Sequence, residues 1–476
     1  MKKKYVRWTL WTIASPFILF IILCILIYLP PIQNFLVDKA AVYASEATGM
    51  NISVGRISLS FPLNLVVTNV DAASPHNDTL LSVRRLQVNV QLLPLLKKQV
   101  EVDGISLQGA TVNSNDLIHG MKLNGTLGEL FISSHGVALD PETAIVNKVL
   151  LKDTDLSLCL NDTAAADTAA SDTTYWKIIL QDIDLQNVSF ALDMPLDSLS
   201  LAASLDNAIL RDGLIDLHKS AYSLQTFRIK NGRVRYDSGK PLAADSLPSG
   251  LDPSHIALTD IGVKLDSLYY GGRNMKAIIS QFVLKERSGV EIVSATGRMV
   301  SNDKVLRVPS LKLETRDSYL ELNAAMDWNA LDFKDEGLVS ARLMADIGKP
   351  DVVRFMGSMD EKFIRQYPSE PLRIRTGIDG DLNKLKLTTL TAELPGALGL
   401  FARGELTHLT DSLLRGGDIT LEAETKDLKF VSTLAEGIEI PYGTRLEGKF
   451  TMAGTKMGTD LLLMQPEAQA VVAADT

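Results

Sequence analysis

An eight-residue pattern that recurs four times constrains the fold of this chain more than any other feature. Each copy has apolar residues at its first, third and eighth positions and a turn-forming residue at its fifth position. The copies begin 44, 34 and 44 residues apart, which is typical of repeat architectures. They span residues 105–112, 149–156, 183–190 and 227–234, and their fifth residues are Gly109, Asp153, Asn187 and Asn231.

The alternation within each copy is typical of a strand with one apolar face. Glycine, asparagine and aspartate accept left-handed or tight-turn dihedrals, so we interpret the fifth residue as a turn and the eighth position as the start of the next strand. Residues 133–136, 211–213 and 287–289 are interpreted as hairpin turns. The predicted fold class is mainly β: an elongated, repetitive antiparallel sheet over residues 50–476. A large antiparallel β-protein with a closed core is the alternative.

Four other segments depart from the strand-like pattern. Residues 161–174 are polar and of low complexity, and residues 242–255 are rich in proline, serine and aspartate, so both are predicted to be loops. Residues 351–366 carry apolar side chains at helical spacing, which predicts a short amphipathic helix over an edge or a groove mouth. Another amphipathic helix, next to the membrane, is predicted over residues 31–48, with Gly49 as its stop.

The N-terminal segment predicts a membrane anchor. Residues 10–29 carry no charge, and roughly 20 residues at 1.5 Å rise span the ~30 Å hydrocarbon core of a bilayer. Lys2, Lys3, Lys4 and Arg7 precede this segment, so the positive-inside rule places the basic tail 1–9 in the cytoplasm and the β-region on the far side. A cleaved signal peptide is the alternative, but its apolar region would be shorter and followed promptly by a cleavage site.

Neither composition nor motif spacing indicates catalysis. The net charge of −9, with no basic cluster beyond the N-terminus, argues against nucleic acid as a partner. We find no catalytic or metal-ligand spacing, so we predict no enzymatic activity, cofactor or metal. Residues 301–304 match Ser-x-x-Lys and residues 379–383 match the start of a calcium loop, but both are interpreted as turns.

Several short motifs follow one another in a specific order near the N-terminus. After the predicted membrane helix and Thr48-Gly49 come ISVGRISLSF at 52–61, LVVTNV at 65–70, LLSV at 80–83, LLPLL at 92–96 and VEVDGISL at 100–107. This order resembles the start of AsmA-like proteins, most closely the TamB branch, the inner-membrane subunit of the translocation and assembly module. The resemblance is clearest over residues 1–115 and continues as β-repeats.

The resemblance implies a non-catalytic protein of a diderm bacterium, anchored in the inner membrane and reaching through the periplasm. It implies a long β-sheet curled into an apolar groove that conducts phospholipid toward the outer membrane. The alternative function is an assembly or scaffold factor for outer-membrane or secreted proteins, acting through β-strand contacts. An outer-membrane barrel protein would be a partner, although the domain that makes this contact is not seen here. The sequence stops in mid-pattern, as expected of a fragment or a short relative.

The predicted groove would be lined by alternating apolar residues. Exposing an acyl chain to water costs ~0.8 kcal/mol per methylene, on the order of 10 kcal/mol for a whole chain, and a continuous apolar surface would remove most of that cost. An ordinary sandwich core would show the same alternation, so it is an equally good interpretation of these residues. The candidate lining residues are Ile105, Leu107, Leu156, Leu158, Ile183, Leu185, Phe227 and Ile229.

Overall fold

The computed structural model of the chain describes most of the region after Gly49. The described residues are 39, 41–42, 45–46, 48–60, 64–74, 78–90, 102–114, 120–138, 142–161, 175–239, 250–332, 336–357, 360–433, 441–465 and 468–475. The predicted anchor at 10–29, with Lys2, Lys3, Lys4 and Arg7, lies outside these residues, as do 162–174 and 242–249 of the two predicted loops. In the ranges that are described, no helix has the length and apolar character needed to cross a membrane.

The end of the predicted helix 31–48 is described. Residues 39, 41, 42, 45, 46 and 48 are helical. Gly49 follows with a φ of +69°, and its backbone N–H donates to the Ser45 carbonyl at 2.9 Å. This is the geometry of a glycine that ends a helix. The Ser45 hydroxyl also accepts from the backbone N–H of Ile52 at 3.0 Å, so the helix leads directly into the first strand.

The chain divides into two compact units, residues 1–211 (unit 1) and residues 212–476 (unit 2), and it is mainly β. In unit 1 the first six strands pair antiparallel in chain order. The strands of unit 1 are β1 (Asn51–Ser60), β2 (Asn64–Ala73), β3 (Thr79–Val90), β4 (Val102–Asn113), β5 (Met121–Ala138), β6 (Thr143–Leu160), β7 (Lys177–Met194) and most of β8 (Leu199–Asp216).

Strands β6 and β7 pair in parallel, from Thr143 beside Lys177 to Cys159 beside Asp193. The predicted antiparallel arrangement is therefore wrong for this one pair of strands. The physical reason lies in the connection between the strands. A two-residue turn can only reverse the chain, whereas the 16 residues from 161 to 176 are enough to return it to the start of β6.

Unit 2 pairs antiparallel in chain order from β10 to β23. Its strands are β9 (Ala221–Leu224), β10 (Thr226–Ser238), β11 (His255–Gly271), β12 (Asn274–Glu286), β13 (Glu291–Ser301), β14 (Val305–Thr315), β15 (Tyr319–Asp327), β16 (Leu338–Ile347), β17 (Leu372–Asp381), β18 (Lys384–Leu394), β19 (Leu398–Thr407), β20 (Gly416–Thr425), β21 (Arg445–Ala453), β22 (Lys456–Gln465) and β23 (Ala468–Asp475). Its helices are α1 (Trp328–Leu331), α2 (Lys349–Phe355) and α3 (Glu361–Gln366).

The predicted helix over 351–366 is two short helices, α2 and α3. Gly357 follows α2 with a φ of +73°, a left-handed conformation that ends a helix. The Asp360 side chain then accepts from the backbone N–H of Lys362 at 2.9 Å, which caps the start of α3. The single-helix prediction is wrong because it followed the apolar spacing alone and ignored these two signals.

The fifth residues of the repeated pattern are left-handed, but they lie inside strands. Gly109 has a φ of +61°, Asp153 of +50°, Asn187 of +52° and Asn231 of +53°. They belong to β4, β6, β7 and β10, so the interpretation of these residues as turns between strands is wrong. Each is a kink within one continuous strand.

The pleat of a strand explains why the kinks are needed. Successive side chains point to opposite faces, so the odd spacing from position three to position eight would put those residues on different faces. One left-handed residue shifts the alternation by one. Two consecutive exposed residues mark the shift, Lys152 with Asp153 in β6 and Lys230 with Asn231 in β10.

The other predicted turns have mixed outcomes. Residues 133–136 and 211–213 lie inside β5 and β8, so those two hairpin predictions are wrong. Both places carry local irregularities instead, a register shift after Ser133 and a φ of +52° at Asp212. Residues 287–289 do connect β12 to β13, and 302–304 and 382–383 are the turns expected after Ser301 and Asp381.

Candidate functional site

The apolar residues of unit 1 align into two rows that run across seven strands. The pairing registers place each member directly opposite the next on the neighbouring strand. Residues opposite each other in a ladder share a face of the sheet. Row A consists of Ile57, Val67, Leu86, Leu107, Leu130, Leu151 and Leu185, and row B of Leu59, Leu65, Val88, Ile105, Ile132, Val149 and Ile183.

No member of row A or row B is buried. Ile105 is 37% exposed, and the remaining members are half-buried. In a sandwich, a second sheet packs about 10 Å away and buries such residues fully. In the described part of unit 1, the buried apolar side chains are Ala72, Leu80, Val83 and Ala208, and none of them belongs to a row. Within the residues that the structure describes, the two rows are therefore an aligned apolar surface that no second layer buries.

The opposite face of unit 1 carries hydrogen-bonded polar side chains. Gln87 accepts from Arg85 at 3.2 Å and donates to the Asn89 amide oxygen at 3.1 Å. Between β7 and β8, the side-chain amide of Asn207 donates to the Asp184 carboxylate at 3.1 Å. This face is mixed, because Val66, Phe131 and Leu150 lie on it as well, but these side-chain hydrogen bonds lie away from the rows.

The kinks cross the sheet beside row A, and three of the pairs opposite each other there consist of a glycine and a larger residue. A Cβ at Gly128 would lie 2.8 Å from the Asp153 Cβ, and one at Gly55 would lie 3.0 Å from the Asn69 Cβ. A Cβ at Gly109 would lie 3.1 Å from the Arg84 guanidinium carbon. Such distances are too short for a second side chain to fit comfortably. At Gly55 and Gly128, glycine therefore permits the close approach of the left-handed residue on the neighbouring strand, whereas Gly109 is itself the left-handed residue.

Four of the eight candidate lining residues belong to the rows. Ile105 and Ile183 are in row B, and Leu107 and Leu185 are in row A. Leu156 and Leu158 lie beyond the kink of β6, beside Phe190 and Leu192 of β7. In that copy of the pattern, Val149 and Leu151 are the row members, whereas the sequence analysis predicted Leu156 and Leu158 as lining residues.

Phe227 and Ile229 lie in unit 2, in an equivalent arrangement. Ile229 begins row C, which continues strand by strand from β10 to β22, while Phe227 faces Leu265 in a line beside it. Row C consists of Ile229, Val263, Phe282, Ala295, Leu313, Leu320, Ala345, Ile374, Ala392, Leu400, Ala423, Leu446 and Leu463.

The other face of unit 2 is charged. Arg375 pairs with Asp346 at 2.7 Å, and Lys449 pairs with Asp418 at 2.9 Å, each across neighbouring strands. The Asp418 carboxylate, through this hydrogen bond and its charge, raises the pKa of Lys449 above its ordinary value. Ion pairs this exposed contribute little stability, but their charges favour solvation of this face of unit 2.

Helix α3 covers one end of the apolar face in unit 2. Phe363 is 2% exposed and packs with Tyr367 and Phe430, at ring-centroid distances of 5.4 Å and 5.8 Å. Leu394 at the end of β18, Ala397 between β18 and β19, and Leu428 complete this buried cluster. Burial among these groups raises the pKa of Tyr367. Sequence periodicity indicated Phe363, but it carried no signal for Phe430, which reaches the cluster from far along the chain.

Helix α2 is held to the sheet by a buried carboxylate. Asp351 is 1% exposed and accepts hydrogen bonds from Thr315, from Ser318 at 2.6 Å and from Arg354 at 3.0 Å. Arg354 also pairs with Asp317 at 2.8 Å. These contacts fix the start of the helical segment to the turn between β14 and β15.

Comparison with known proteins identifies no relative. No family model, curated protein or solved structure matches the chain. Among the residues that the structure describes, no group of three or more histidine, cysteine, aspartate or glutamate side chains could hold a metal ion. The candidate site is therefore defined by the apolar rows alone.

Proposed function

We propose that this protein binds phospholipid acyl chains along its apolar rows and conducts them, without catalysis, along the sheet. The observation that carries the proposal is that rows A and B align fourteen aliphatic residues, none of which is buried. Proteins rarely leave extended apolar surfaces exposed unless they bind something there. The AsmA-like resemblance supports the same proposal, together with an inner-membrane anchor at residues 10–29 and a periplasmic β-region.

The dimensions of the rows suit an acyl chain. Seven strands about 4.8 Å apart give a row of about 29 Å. One leaflet of a bilayer is about 15 Å thick in its hydrocarbon part, so a chain laid along a row would contact aliphatic side chains over its whole length. Rows A and B lie two residues apart, about 7 Å, which would bring a second line of contacts to the same chain.

Movement of an acyl chain along the rows would need no position that binds it more tightly than the others. The aliphatic side chains in the rows are chemically similar, so an acyl chain would gain nearly the same free energy at each position. The cost of exposing it to water, on the order of 10 kcal/mol, would be avoided throughout the path.

A second candidate function is strand addition by polypeptide clients. In the described part of the chain, β1 pairs with β2 on one side only, so its other edge could accept a strand. A client protein held in this way would contact the backbone of β1 and would be insensitive to the charge of side chains in row A.

The experiment compares two double variants of the full chain. Leu107→Glu with Leu185→Glu places two carboxylates in row A. Gln108→Glu with Gln186→Glu places them on the same strands, one residue further along and on the opposite face. After purification in mild detergent, bound phospholipid is extracted and quantified. Lipid bound around a membrane anchor is the same in both variants, so the difference in their phospholipid content measures the lipid bound by the rows.

We expect the row variant to lose the phospholipid associated with the β-region, while the matched control retains it. Both should keep the circular dichroism spectrum of the parent, because the substituted side chains are not buried. Equal lipid content in the two variants would contradict lipid binding by row A. Equal lipid content together with loss of client binding on blocking the β1 edge would favour strand addition.

A further inference from the structure

Two leucines in the connection between β19 and β20 point into solvent from a rigid turn. Leu413 is 78% exposed and Leu414 is 64% exposed. Leucine is seldom this exposed in an ordered turn, because burial of its side chain stabilises a folded protein. We call residues 411–415 the double-leucine tip.

The turn is held in one conformation by its own polar groups. The Asp411 carboxylate accepts from the backbone N–H groups of Leu413 at 2.8 Å and Leu414 at 3.3 Å. The backbone N–H of Arg415 donates to the Asp411 carbonyl at 2.8 Å. The side chains of the leucines are thus exposed while their backbone is fixed.

The tip is also braced by the neighbouring turn between β21 and β22. Gly454 donates its N–H to the Arg415 carbonyl at 2.7 Å, and its own carbonyl accepts from the Arg415 guanidinium at 2.9 Å. Gly454 has a φ of +60°, and a Cβ there would lie 3.1 Å from the Leu413 carbonyl oxygen. Lys456 starts β22 just beyond this contact, and Met457, the second residue of β22, is 56% exposed.

From this arrangement we infer that the double-leucine tip is a membrane contact, in which Leu413 and Leu414 insert into the hydrocarbon edge of a lipid bilayer. Met457 would add apolar contact, and Arg415 and Lys456 would lie at the level of the headgroups. The inference does not depend on lipid binding by the rows, and it adds a bilayer contact within unit 2 itself.

The size and charge of the surface favour a bilayer over a protein partner. Three large side chains at these exposures present on the order of 300 Å² of apolar area. A stable protein interface buries about 800 Å² on each partner, much more than the tip offers. A bilayer requires only that a few apolar side chains reach the acyl region, with cations beside them at the anionic surface. Arg415 and Lys456 provide two positive charges beside the carboxylate of Asp411.

The test places a fluorophore on the tip of the full chain. Cys24 and Cys159 are replaced by serine, and Ser412→Cys carries an environment-sensitive dye. Vesicles of phosphatidylcholine with some phosphatidylglycerol are used, with and without brominated acyl chains, which quench the dye only on contact with the hydrocarbon. The matched control carries the dye at Ser198→Cys, beside Leu196, another exposed leucine that is followed by Asp197.

We expect quenching at position 412 and none at position 198. In the variant Leu413→Ser with Leu414→Ser, quenching at position 412 should fall to the level of the control. Hydrogen exchange of β19 and β20 should be unchanged in that variant, since the leucines are exposed. Absence of quenching at 412, or quenching that survives the double substitution, would overturn the inference. A dye signal that rises with protein concentration without vesicles would overturn it in favour of contact between copies of the chain.

Discussion

Units 1 and 2 each have an apolar face built from rows of aligned residues, but the two faces differ in what covers them. In unit 1, rows A and B include no buried side chain. In unit 2, Ala295 and Ala345 of row C are buried, and α3 packs Phe363 and Tyr367 over one end of the face. The two units also differ in pairing, because the parallel pair β6–β7 belongs to unit 1 alone among the registers of the described residues.

This difference separates apolar surface that stabilises the fold from apolar surface that is free to bind. Stability comes from side chains removed from water, and unit 2 concentrates these in the cluster around Phe363. The rows of unit 1 stay half-exposed, so they contribute less per residue and remain accessible to a ligand. Four predictions test this comparison.

The largest effect is expected from shortening the connection between β6 and β7. In the parallel pair, Leu160 lies about 56 Å from the start of β7, and the 17 Cα–Cα steps of the connection span that distance only when nearly extended. Deleting residues 164–169 leaves 11 steps, which reach about 40 Å at most. The full-length pairing of β6 with β7 then becomes impossible. Hydrogen exchange of the β7 amides should accelerate by orders of magnitude.

The control replaces residues 164–169 by six glycine and serine residues. Because it preserves length, β7 should keep its protection, and so should unit 2 in both variants. Unchanged protection of β7 after the deletion would show that the parallel register is wrong.

The next effect concerns the covered face of unit 2. Phe363→Ala removes a ring that is 2% exposed and that contacts two other aromatic rings. We expect a loss of about 3–5 kcal/mol in the local free energy of opening for α3 and the ends of β18 and β19. Hydrogen exchange followed by mass spectrometry measures this region separately from unit 1.

A smaller effect is expected from the same type of truncation in row A. Leu151→Ala shortens a half-buried side chain in β6, so only part of its transfer free energy is lost, about 1 kcal/mol. The local free energy of opening of β5 to β7, measured in the same way, provides the comparison. If Leu151→Ala cost as much as Phe363→Ala, the rows would be a packed core and the contrast between the units would disappear.

The smallest effect is a pH dependence confined to unit 2. Burial raises the pKa of Tyr367, so the folded state favours the neutral phenol. The stability gained from burying the neutral phenol is complete below a pH of about 10, the ordinary pKa of tyrosine in the unfolded chain. It is lost as the pH rises through the higher pKa of the folded state. Denaturant unfolding at rising alkaline pH should therefore show an extra loss of stability. Tyr367→Phe should remove that part of the dependence, and an identical dependence in both proteins would contradict it.

The sequence predicted the β-class and the apolar alternation, because both depend on neighbours along the chain. It also located the left-handed residues Gly109, Asp153, Asn187 and Asn231, although it assigned them to turns. The local preference of these residues was clear, but a kink and a turn use the same dihedrals. Only the pairing of neighbouring strands distinguishes them.

What could not be predicted depends on contacts between distant segments. The alignment of Leu107 with Leu130, Leu151 and Leu185 requires the registers of three strand pairs. The parallel pairing of β6 with β7 is the opposite of the antiparallel pairing that a short turn would give. The contact of Phe430 with Phe363 joins residues that share no local pattern. Alternation alone could not show whether a second layer covers the rows.

Photocrosslinking tests lipid binding by the rows most directly. The full chain is incubated with phospholipid that carries a diazirine in its acyl chain, irradiated, digested and mapped by mass spectrometry. The account predicts adducts on members of rows A and B in β4 to β7, such as Leu107, Leu151 and Leu185, and none on Gln108, Lys152 or Gln186 beside them. Adducts spread equally over both faces of these strands, or confined to residues 10–29, would contradict it.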